Sequence, residues 1–444
     1  MNPSLEEQMD YEHLKVQPKQ PPKYINEYFI QQTLEVYYRC NVVLRKCRFY
    51  CATRPGETYS SEIYRVLVLF TLYNRRKNGI LCKPSTHEMS LIVKDVKMSF
   101  KRKEGSNEFM MHKYILSRLM GKLMGIYPDE YSMEVVNDHE RVCKVSADCL
   151  LCFREKYEVY VLEDLTRMSF CQPNRFDGLD LIESQYVMKK LAHIHAASMV
   201  YLWQHPRAAG IFLPSPLADG IAPSSYLGVS TFEGMRYAIE MVKRWPGFRD
   251  IAERMRSTME QFNRRLTEVM AHKRCAFKVL VHGEPWAKNI FMKYAQRGSD
   301  LSPRDATFVD FQMTFIGSCG YDLNYFLQTS VDFNVLVHDR KTLIEWYHKQ
   351  LTRTLIKLNY PIEKIPTMTM ILHELWHFEF IGYYALLVQL PIACMDEDTT
   401  TDFRLKCILN KSERKKFFDI IYSYERVQVM LYYGLRRFAV MGLI

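Results

Sequence analysis

The chain has 444 residues, of which 48% are hydrophobic and 13% are aromatic. A sequence of this length and apolar content can bury a large core, which excludes a disordered or fibrous protein. The formal net charge is +10, and the 60 basic residues are spread along the chain instead of forming arms or stripes. Nucleic acid is therefore not an expected partner.

The N-terminus and the cysteines predict a cytoplasmic protein. The first twenty residues are polar and acidic and do not resemble a secretory signal. The most apolar run, 378–395, is interrupted by Gly382 and Pro391 and is shorter than the ~20 residues of a membrane span. We expect the cysteines to be reduced thiols, and the C-x-x-C pair Cys149 and Cys152 to pack in the core.

The first 165 residues are predicted to form a sheet with one prominent helix. A helical pattern runs from Tyr24 to about Lys46, and a second extends from Asn107 to Met124. The strand-like segments are SEIYRVLVLFTLY after a turn in RPGETY, MSLIVKDV after a hairpin at Arg75 to Gly79, VCKVSADCLLCF and YEVYVLEDL.

From Leu179 onward the pattern is mainly helical. The segments with helical periodicity are 179–204, 231–272, 339–358 and 367–390, and strand-like KVLVHG, NIFMKY and ATFVDF interrupt them. We therefore predict an α+β protein of two lobes. The predicted divisions are an N-terminal arm at 1–24, a β-rich lobe at 25–165 and a helix-rich lobe at 166–444.

Three polar residues lie at the ends of short strands in the second predicted lobe. Glu284 follows KVLVHG, Asn289 comes five residues later, and Asp310 ends the apolar segment TFVD. Phosphoryl transfer from ATP needs an acid beside the attacking hydroxyl, and an Asn and an Asp to hold magnesium. Each residue alone would more often be a turn residue, but together they favour a phosphotransferase site with Glu284, Asn289 and Asp310 as catalytic residues.

Two further segments fit a nucleotide site. Lys94 lies in the apolar strand SLIVKDV, where it is either an edge-strand charge or a ligand of the α- and β-phosphates. The turn from Gly56 to Ser61 offers backbone N–H groups and the hydroxyls of Thr58, Ser60 and Ser61 as a lid over the phosphates. The lid is the weaker signal because it contains a single glycine.

Taken together, these segments resemble the insect ecdysteroid kinase-like family, also called the CHK kinase-like family. This family is related to choline and aminoglycoside kinases within the protein-kinase-like fold. The resemblance covers roughly residues 25–430. The segments that carry it are GETYSSEIYRVLV, SLIVKDV, YVLEDL, LAHIHAAS, VHGEPWAKNIFMKY, VDFQ followed by GYDLNYFL, and IGYYALLVQLP.

The resemblance implies a kinase that uses ATP and magnesium and acts on small hydroxylated molecules, with ecdysteroids as the leading suggestion. It also implies roles for individual residues. Lys94 would bind phosphate, Glu163 to Leu165 would form the hinge beside adenine, Asn289 and Asp310 would bind magnesium, and Asp322 would brace the catalytic loop.

Two departures from the family pattern bear on activity. The family has His-Gly-Asp where this chain has HGE at 282–284, so a glutamate takes the place of the presumed catalytic aspartate. The family's F-x-x-E motif is Phe109 followed by His112 here, and Glu108 is the carboxylate one turn earlier. Two hypotheses stay open: a kinase with Glu284 as base, and a pseudokinase that binds nucleotide or ligand without turnover.

Two other patterns have a structural and a functional interpretation. HELWH at 373–377 matches the H-E-x-x-H zinc-protease pattern, but it also fits the C-terminal helix of the family, which we prefer. The helical insert at 206–275 is expected to build the acceptor pocket. Its aromatic residues, such as Phe232 and Phe248, either line that pocket or pack the lobe, and packing is the more common role.

Overall fold

The computed structural model describes residues 20–53, 61–74, 76–77, 80–81, 83–96, 106–127, 144–155, 157–271, 275–297, 300–395 and 408–444. Contacts divide the chain into two compact units. The first comprises 1–105 and 147–168, and the second comprises 106–146 and 169–444. Strands dominate the first unit and helices the second, so the predicted α+β class is confirmed.

Among its described residues, the first unit contains one α-helix and a set of antiparallel strands. Their bounds are α1 (Glu27–Tyr38), β1 (Asn41–Cys51), β2 (Ser61–Tyr73), β3 (Arg76–Lys77), β4 (Ile80–Leu81), β5 (Ser85–Val96), β6 (Cys149–Arg154) and β7 (Glu158–Glu163). Five of these strands form one sheet in the order β1-β2-β5-β7-β6. Helix α1 packs against β1 and β6. A 3-10 turn at Leu165–Met168 follows β7.

Helix α1 ends earlier than the sequence predicted. Its N-cap is Asn26, and the chain leaves the helix at Arg39, which has a left-handed φ of 52°. The predicted helical pattern to Lys46 is therefore wrong, because Asn41–Cys51 forms β1 and pairs antiparallel with β2. The β-branched residues Val42 and Val43 favour a strand, and pairing along a whole neighbouring strand outweighs the helical spacing of the apolar side chains.

The second unit contains most of the helices. Its elements are α2 (Asn107–Met110), a π-helical turn (Met111–Ile115), α3 (Leu116–Ile126), β8 (Phe170–Cys171), α4 (Leu181–Gln204), α5 (Tyr226–Val242), α6 (Arg249–Glu260), α7 (Phe262–Met270), β9 (Val279–Val281), β10 (Ile290–Arg297), β11 (Asp300–Phe308), β12 (Phe315–Gly317), α8 (Cys319–Thr329), α9 (Phe333–His338), α10 (Arg340–Lys357), α11 (Met368–His377), α12 (Glu379–Tyr384), a π-helical turn (Ala385–Gln389), α13 (Leu390–Ala393), α14 (Lys411–Ile421) and α15 (Glu425–Val440). Among the described residues, no helix combines the length and the apolar character that crossing a membrane requires.

Helix α4 is the central support of this unit. A capping box of Asp180 and Glu183 starts it, and almost all of its residues from Val187 to Tyr201 are buried. It packs against α10, β9 and β11. The buried Lys190 ammonium lies 2.9 Å from Asp305 Oδ1 and joins α4 to β11. The strands that carry the candidate site are therefore held against a rigid helix.

The predicted helix at 107–124 is confirmed as α2, the π-helical turn and α3. Its contacts place this helical segment in the helix-rich unit, although the sequence analysis assigned residues 25–165 to the β-rich lobe. Asn107 Nδ2 donates to the carbonyl of Thr314 at 2.6 Å, and Asn107 Oδ1 accepts from the N–H of Leu213 at 2.7 Å. These hydrogen bonds attach the start of α2 to the turn that precedes β12 and to the segment that contains Leu213.

Candidate active site

A short strand pair in the second unit carries the segment HGEP. Strand β9 runs antiparallel to β12, with Val281 opposite Phe315. Gly283 has a φ of +92°, and a Cβ there would lie 2.4 Å from the carbonyl oxygen of Met313. Only glycine fits this backbone and this close approach. The loop after β9 is therefore pressed against the turn that follows Asp310.

Asp322, in the first turn of α8, braces this loop. Its carboxylate is fully buried and accepts hydrogen bonds from the backbone N–H groups of His282 at 2.7 Å and Gly283 at 2.9 Å. The expectation that Asp322 braces the loop is confirmed. His195 Nε2 lies 3.1 Å from the same carboxylate, and His195 Nδ1 lies 2.7 Å from the hydroxyl of Tyr347. These two residues complete the brace.

His195 and Tyr347 were missed by the sequence analysis. His195 lies in LAHIHAAS, which carried part of the family resemblance, but the sequence gives no sign of its partner on α8. The motif itself was the available signal, because a buried histidine in a helix needs a hydrogen-bond partner.

His282 links the loop to the segment that contains Asp310. Burial lowers the pKa of His282, although Asp322 and Asp310 act to raise it, so the imidazole is neutral at physiological pH. Its Nδ1 accepts from the N–H of Glu284 at 3.3 Å, which leaves Nε2 to donate to the Val309 carbonyl at 3.2 Å. The ring therefore joins the backbone of Glu284 to that of Val309, the residue before Asp310.

Asn289 joins the same segments from the other side. Its Nδ2 donates to the carbonyl of Glu284 at 3.1 Å, and its backbone carbonyl accepts from the N–H of Val309 at 3.0 Å. Strand β10 begins here and strand β11 ends here, because Ile290, the first residue of β10, is paired with Phe308, the last residue of β11. The structure thus brings Glu284, Asn289 and Asp310 into one neighbourhood.

The sequence predicted that Asp310 ends a strand, and this prediction is wrong. Strand β11 ends at Phe308, and Asp310 follows with a left-handed φ of 65°. Residues other than glycine seldom adopt this conformation, although Asp tolerates it better than most, and such residues cluster at functional sites. The left-handed turn interrupts the strand and presents Asp310 next to the loop that contains Glu284.

His112 packs beside this segment. Its ring meets the ring of Phe311 edge-on, with 6.0 Å between the centroids. The buried carboxylate of Glu108 lies 4.0 Å from His112 Nε2. The His112 imidazole therefore occupies a packed position near Asp310, with a carboxylate one turn away.

In the first unit, Lys94 lies on the central strand of the sheet. It is opposite Ile63 of β2 and Tyr160 of β7, and its exposed fraction is 6%. The edge-strand interpretation of Lys94 is wrong, because β5 is hydrogen-bonded on both sides. Ser61 is the first residue of β2 and lies opposite Val96. Ser60 and most of the predicted lid lie outside the described residues.

The predicted hinge is anchored by its middle residue, Asp164. Glu163 ends β7, and the buried Leu165 begins a 3-10 turn. Between them, the buried carboxylate of Asp164 accepts from Arg65 Nε at 2.8 Å and from the hydroxyl of Ser90 at 2.6 Å. Burial raises the pKa of Asp164, but Arg65 and the hydrogen bonds outweigh it and hold the pKa below its usual value.

Asp164 makes the stability of the protein depend on pH. Its folded pKa is depressed, so its contribution is present above the unfolded pKa and is lost as the pH falls through the folded pKa. We expect Asp164→Asn to lower the free energy of unfolding by about 2 kcal/mol near pH 7, and by less near pH 3, which is below the usual pKa of an aspartate. Denaturant titrations of both proteins at the two pH values measure this, and an equal difference at both would contradict it.

The HELWH segment lies at the end of helix α11, and a helix is compatible with both interpretations of it. Glu374 is completely buried, and its carboxylate accepts from the hydroxyl of Ser318 at 2.6 Å and the N–H of Ala276 at 3.3 Å. His377 Nε2 lies 3.4 Å from the carbonyl of Val269. Glu374 therefore connects α11 to neighbouring segments. In the part of the chain that the structure describes, no cluster of three or more His, Cys, Asp or Glu residues is arranged to hold a metal.

Aromatic residues of the insert pack the unit. Phe248 is completely buried and meets Trp245 edge-on, with 5.4 Å between the ring centroids. Phe232 meets the buried Phe262 in the same way at 5.8 Å. The packing interpretation is confirmed for Phe248.

Three solved kinase structures are similar to this chain over most of its length. A microcompartment-associated aminopropanol kinase is 12% identical with a TM-score of 0.43, and the match covers 94% of this chain and 99% of that one. A choline/ethanolamine kinase family protein from Mesorhizobium loti is 9% identical, with a TM-score of 0.31 and coverages of 92% and 99%. An amicoumacin kinase in complex with AMP-PNP, Ca2+ and Ami is 12% identical, with a TM-score of 0.33 and coverages of 91% and 97%.

With TM-scores this low, the family assignment depends on the sequence. No curated protein matches the chain at a significant level. The family model described as the ecdysteroid kinase-like family matches residues 55–360, which is more than half of the chain. The matched range contains Lys94, the HGEP segment, Asn289 and Asp310. The chain belongs to the ecdysteroid kinase-like family.

Proposed function

We propose that this protein is an ATP- and Mg2+-dependent phosphotransferase that acts on a hydroxyl group of a small molecule, with ecdysteroids as the first candidates. Family membership supports the general part of this proposal, a phosphotransferase for small-molecule substrates. The observation that carries it is the set of hydrogen bonds through His282 and Asn289, which holds Glu284 and Asp310 in one neighbourhood.

In the proposed reaction, Glu284 accepts the proton of the substrate hydroxyl while the hydroxyl oxygen attacks the γ-phosphorus of ATP. The bond from that phosphorus to its bridging oxygen breaks, and ADP leaves. Glu284 is half-buried, and its backbone is fixed on both sides by His282 and Asn289. The protein's part of this reaction is mainly positioning.

Asn289 and Asp310 are proposed to hold magnesium, which would neutralise charge on the phosphates. The hydrogen bonds of Asn289 fit this role. Its Nδ2 donates to the Glu284 carbonyl, whereas its Oδ1 makes no hydrogen bond to any described residue and is therefore a suitable hard oxygen ligand. In the first unit, we propose that Lys94 and the lid residues Ser60 and Ser61 bind phosphate.

We further propose that Glu163 to Leu165 contact adenine. The anchoring of Asp164 by Arg65 and Ser90 supports this assignment, because it gives the segment one fixed conformation.

A pseudokinase that binds nucleotide or ligand without turnover is the second candidate. Two features favour it: Glu284 stands in place of the family's aspartate, and His112 stands in place of a glutamate. The proposed ligands Asn289 and Asp310 are present in both cases. Nucleotide binding therefore tests what the two candidates share, and turnover separates them.

We expect ATP to stabilise the protein only when Mg2+ is present. At about a hundredfold excess over its dissociation constant, Mg-ATP should raise the free energy of unfolding by about 2.7 kcal/mol. In Asp310→Asn, the stabilisation by ATP should no longer depend on Mg2+, because the side chain keeps its size and loses its charge. Thermal unfolding with ATP, with and without Mg2+, measures both effects.

The matched control is Asp250→Asn, the same chemical change at an exposed position in the first turn of α6. It should respond to Mg-ATP as the unmodified protein does. A melting temperature that saturating Mg-ATP leaves unchanged would exclude both the kinase and the nucleotide-binding pseudokinase.

A further inference from the structure

An open cavity of about 560 Å3 lies in the second unit. This volume is within the range of roughly 300–1,000 Å3 that is typical of small-molecule sites. None of the residues proposed for phosphoryl transfer lines it. Its walls come from the end of α4, the segment 276–278 before β9, Ile316 of β12, and the segment 360–370 that leads into α11.

The cavity has an aromatic and aliphatic wall. Trp203 and Tyr360 meet edge-on, with 5.7 Å between their ring centroids, and Trp203 is 43% exposed. Phe277, Ile316 and Met370 continue the apolar lining. Trp203 is the exposed member of this wall, Tyr360, Ile316 and Met370 are half-buried, and Phe277 is buried. A concave apolar lining of this kind is typical of a binding surface, because a bound apolar group removes it from water.

The charged residues of the cavity favour an anion. Lys278 and Lys364 both line it, and neither forms an ion pair with any residue in the described ranges. Glu363 is the one acidic residue in the lining, so the basic charge exceeds the acidic charge by one. An anionic group near two ammonium groups gains Coulomb energy that a neutral group does not, and a cation is repelled.

We propose that this cavity binds a small molecule with an apolar body and a single anionic group, of the class of medium-chain carboxylates. The apolar body packs against Trp203 and Tyr360, and the carboxylate lies near Lys278 and Lys364. This binding does not depend on the proposed phosphotransferase activity, since it uses none of the residues assigned to that reaction.

The proposal predicts opposite effects of neighbouring charge changes. The probe is laurate, kept below its micelle concentration and titrated by calorimetry at low ionic strength. Lys278→Met and Lys364→Met, which keep the apolar stem, should each weaken laurate binding by about 2–5-fold, while Glu363→Gln should strengthen it by a similar factor. Dodecanol binding should respond to none of the three, and dodecylammonium should bind more weakly than laurate.

Two further variants locate the site. Trp203→Ala should weaken both laurate and dodecanol by about tenfold, since it removes the apolar wall that both chains contact. Lys411→Met, an exposed lysine outside the cavity, should change nothing. The proposal is overturned if laurate does not bind, if dodecylammonium binds as tightly, or if Lys411→Met weakens laurate as much as Lys278→Met does.

Discussion

Asp322→Ala is expected to lower the free energy of unfolding by about 3–5 kcal/mol. The carboxylate is completely buried and accepts from the N–H groups of His282 and Gly283 and contacts His195 Nε2. Its removal leaves these groups buried without their partner, and each unsatisfied donor costs about 1–3 kcal/mol. Denaturant-induced unfolding of the variant and the unmodified protein measures the difference.

The matched control is Asp332→Ala. Asp332 Oδ1 also accepts two backbone N–H groups, those of Asn334 and Val335, but it does so as the N-cap of α9 near the surface. Loss of an N-cap costs about 1 kcal/mol, because water can replace the side chain. Equal costs for the two variants would show that burial of the Asp322 carboxylate is not what stabilises the loop.

Glu284→Gln is expected to slow phosphoryl transfer by at least about 100-fold, because the amide cannot accept the hydroxyl proton. Glu284→Asp should also be slower than the unmodified protein, though less so. The loop backbone is fixed by His282, Asn289 and the extended geometry that Pro285 imposes on Glu284. A shorter side chain therefore withdraws the acid by about 1 Å, and misplacement of that size can cost ~100-fold.

Single-turnover transfer to an accepted hydroxyl substrate measures this series, with Mg-ATP stabilisation of each variant as the control for nucleotide binding. All three proteins should bind Mg-ATP alike, since Glu284 is not a proposed magnesium ligand. Equal transfer rates in all three would remove Glu284 as the base. Binding without measurable transfer in the unmodified protein would favour the pseudokinase.

Local patterns were enough to predict the broad organisation of the chain. Helical spacing of apolar residues at 179–204 corresponds to α4, and the pattern at 339–358 corresponds to α10. Both helices bury wide apolar faces, so the periodicity in the sequence is strong. The segment Asn41–Cys51 was misjudged because its half-buried residues carry a weak pattern, and only pairing with β2 determines its conformation.

The supporting contacts of the candidate site could not be predicted in this way. Asp322 was expected from the family resemblance, but His195 and Tyr347 act through hydrogen bonds that join residues 127 and 152 positions apart. A single sequence shows residue types and spacing, and neither specifies a partner at such separations. The same holds for Asp164, whose hydrogen bond to Arg65 spans 99 positions.

The brace on the HGEP loop determines when during protein synthesis the loop can become ordered. His282 emerges from the ribosome 40 residues before Asp322, and the contact of His195 with Tyr347 must wait for 152 residues of further chain. Closing such long loops costs entropy that is repaid only when the distant contact forms. The loop that contains Glu284 therefore reaches its native conformation only after α10 has been made, however early the first unit folds.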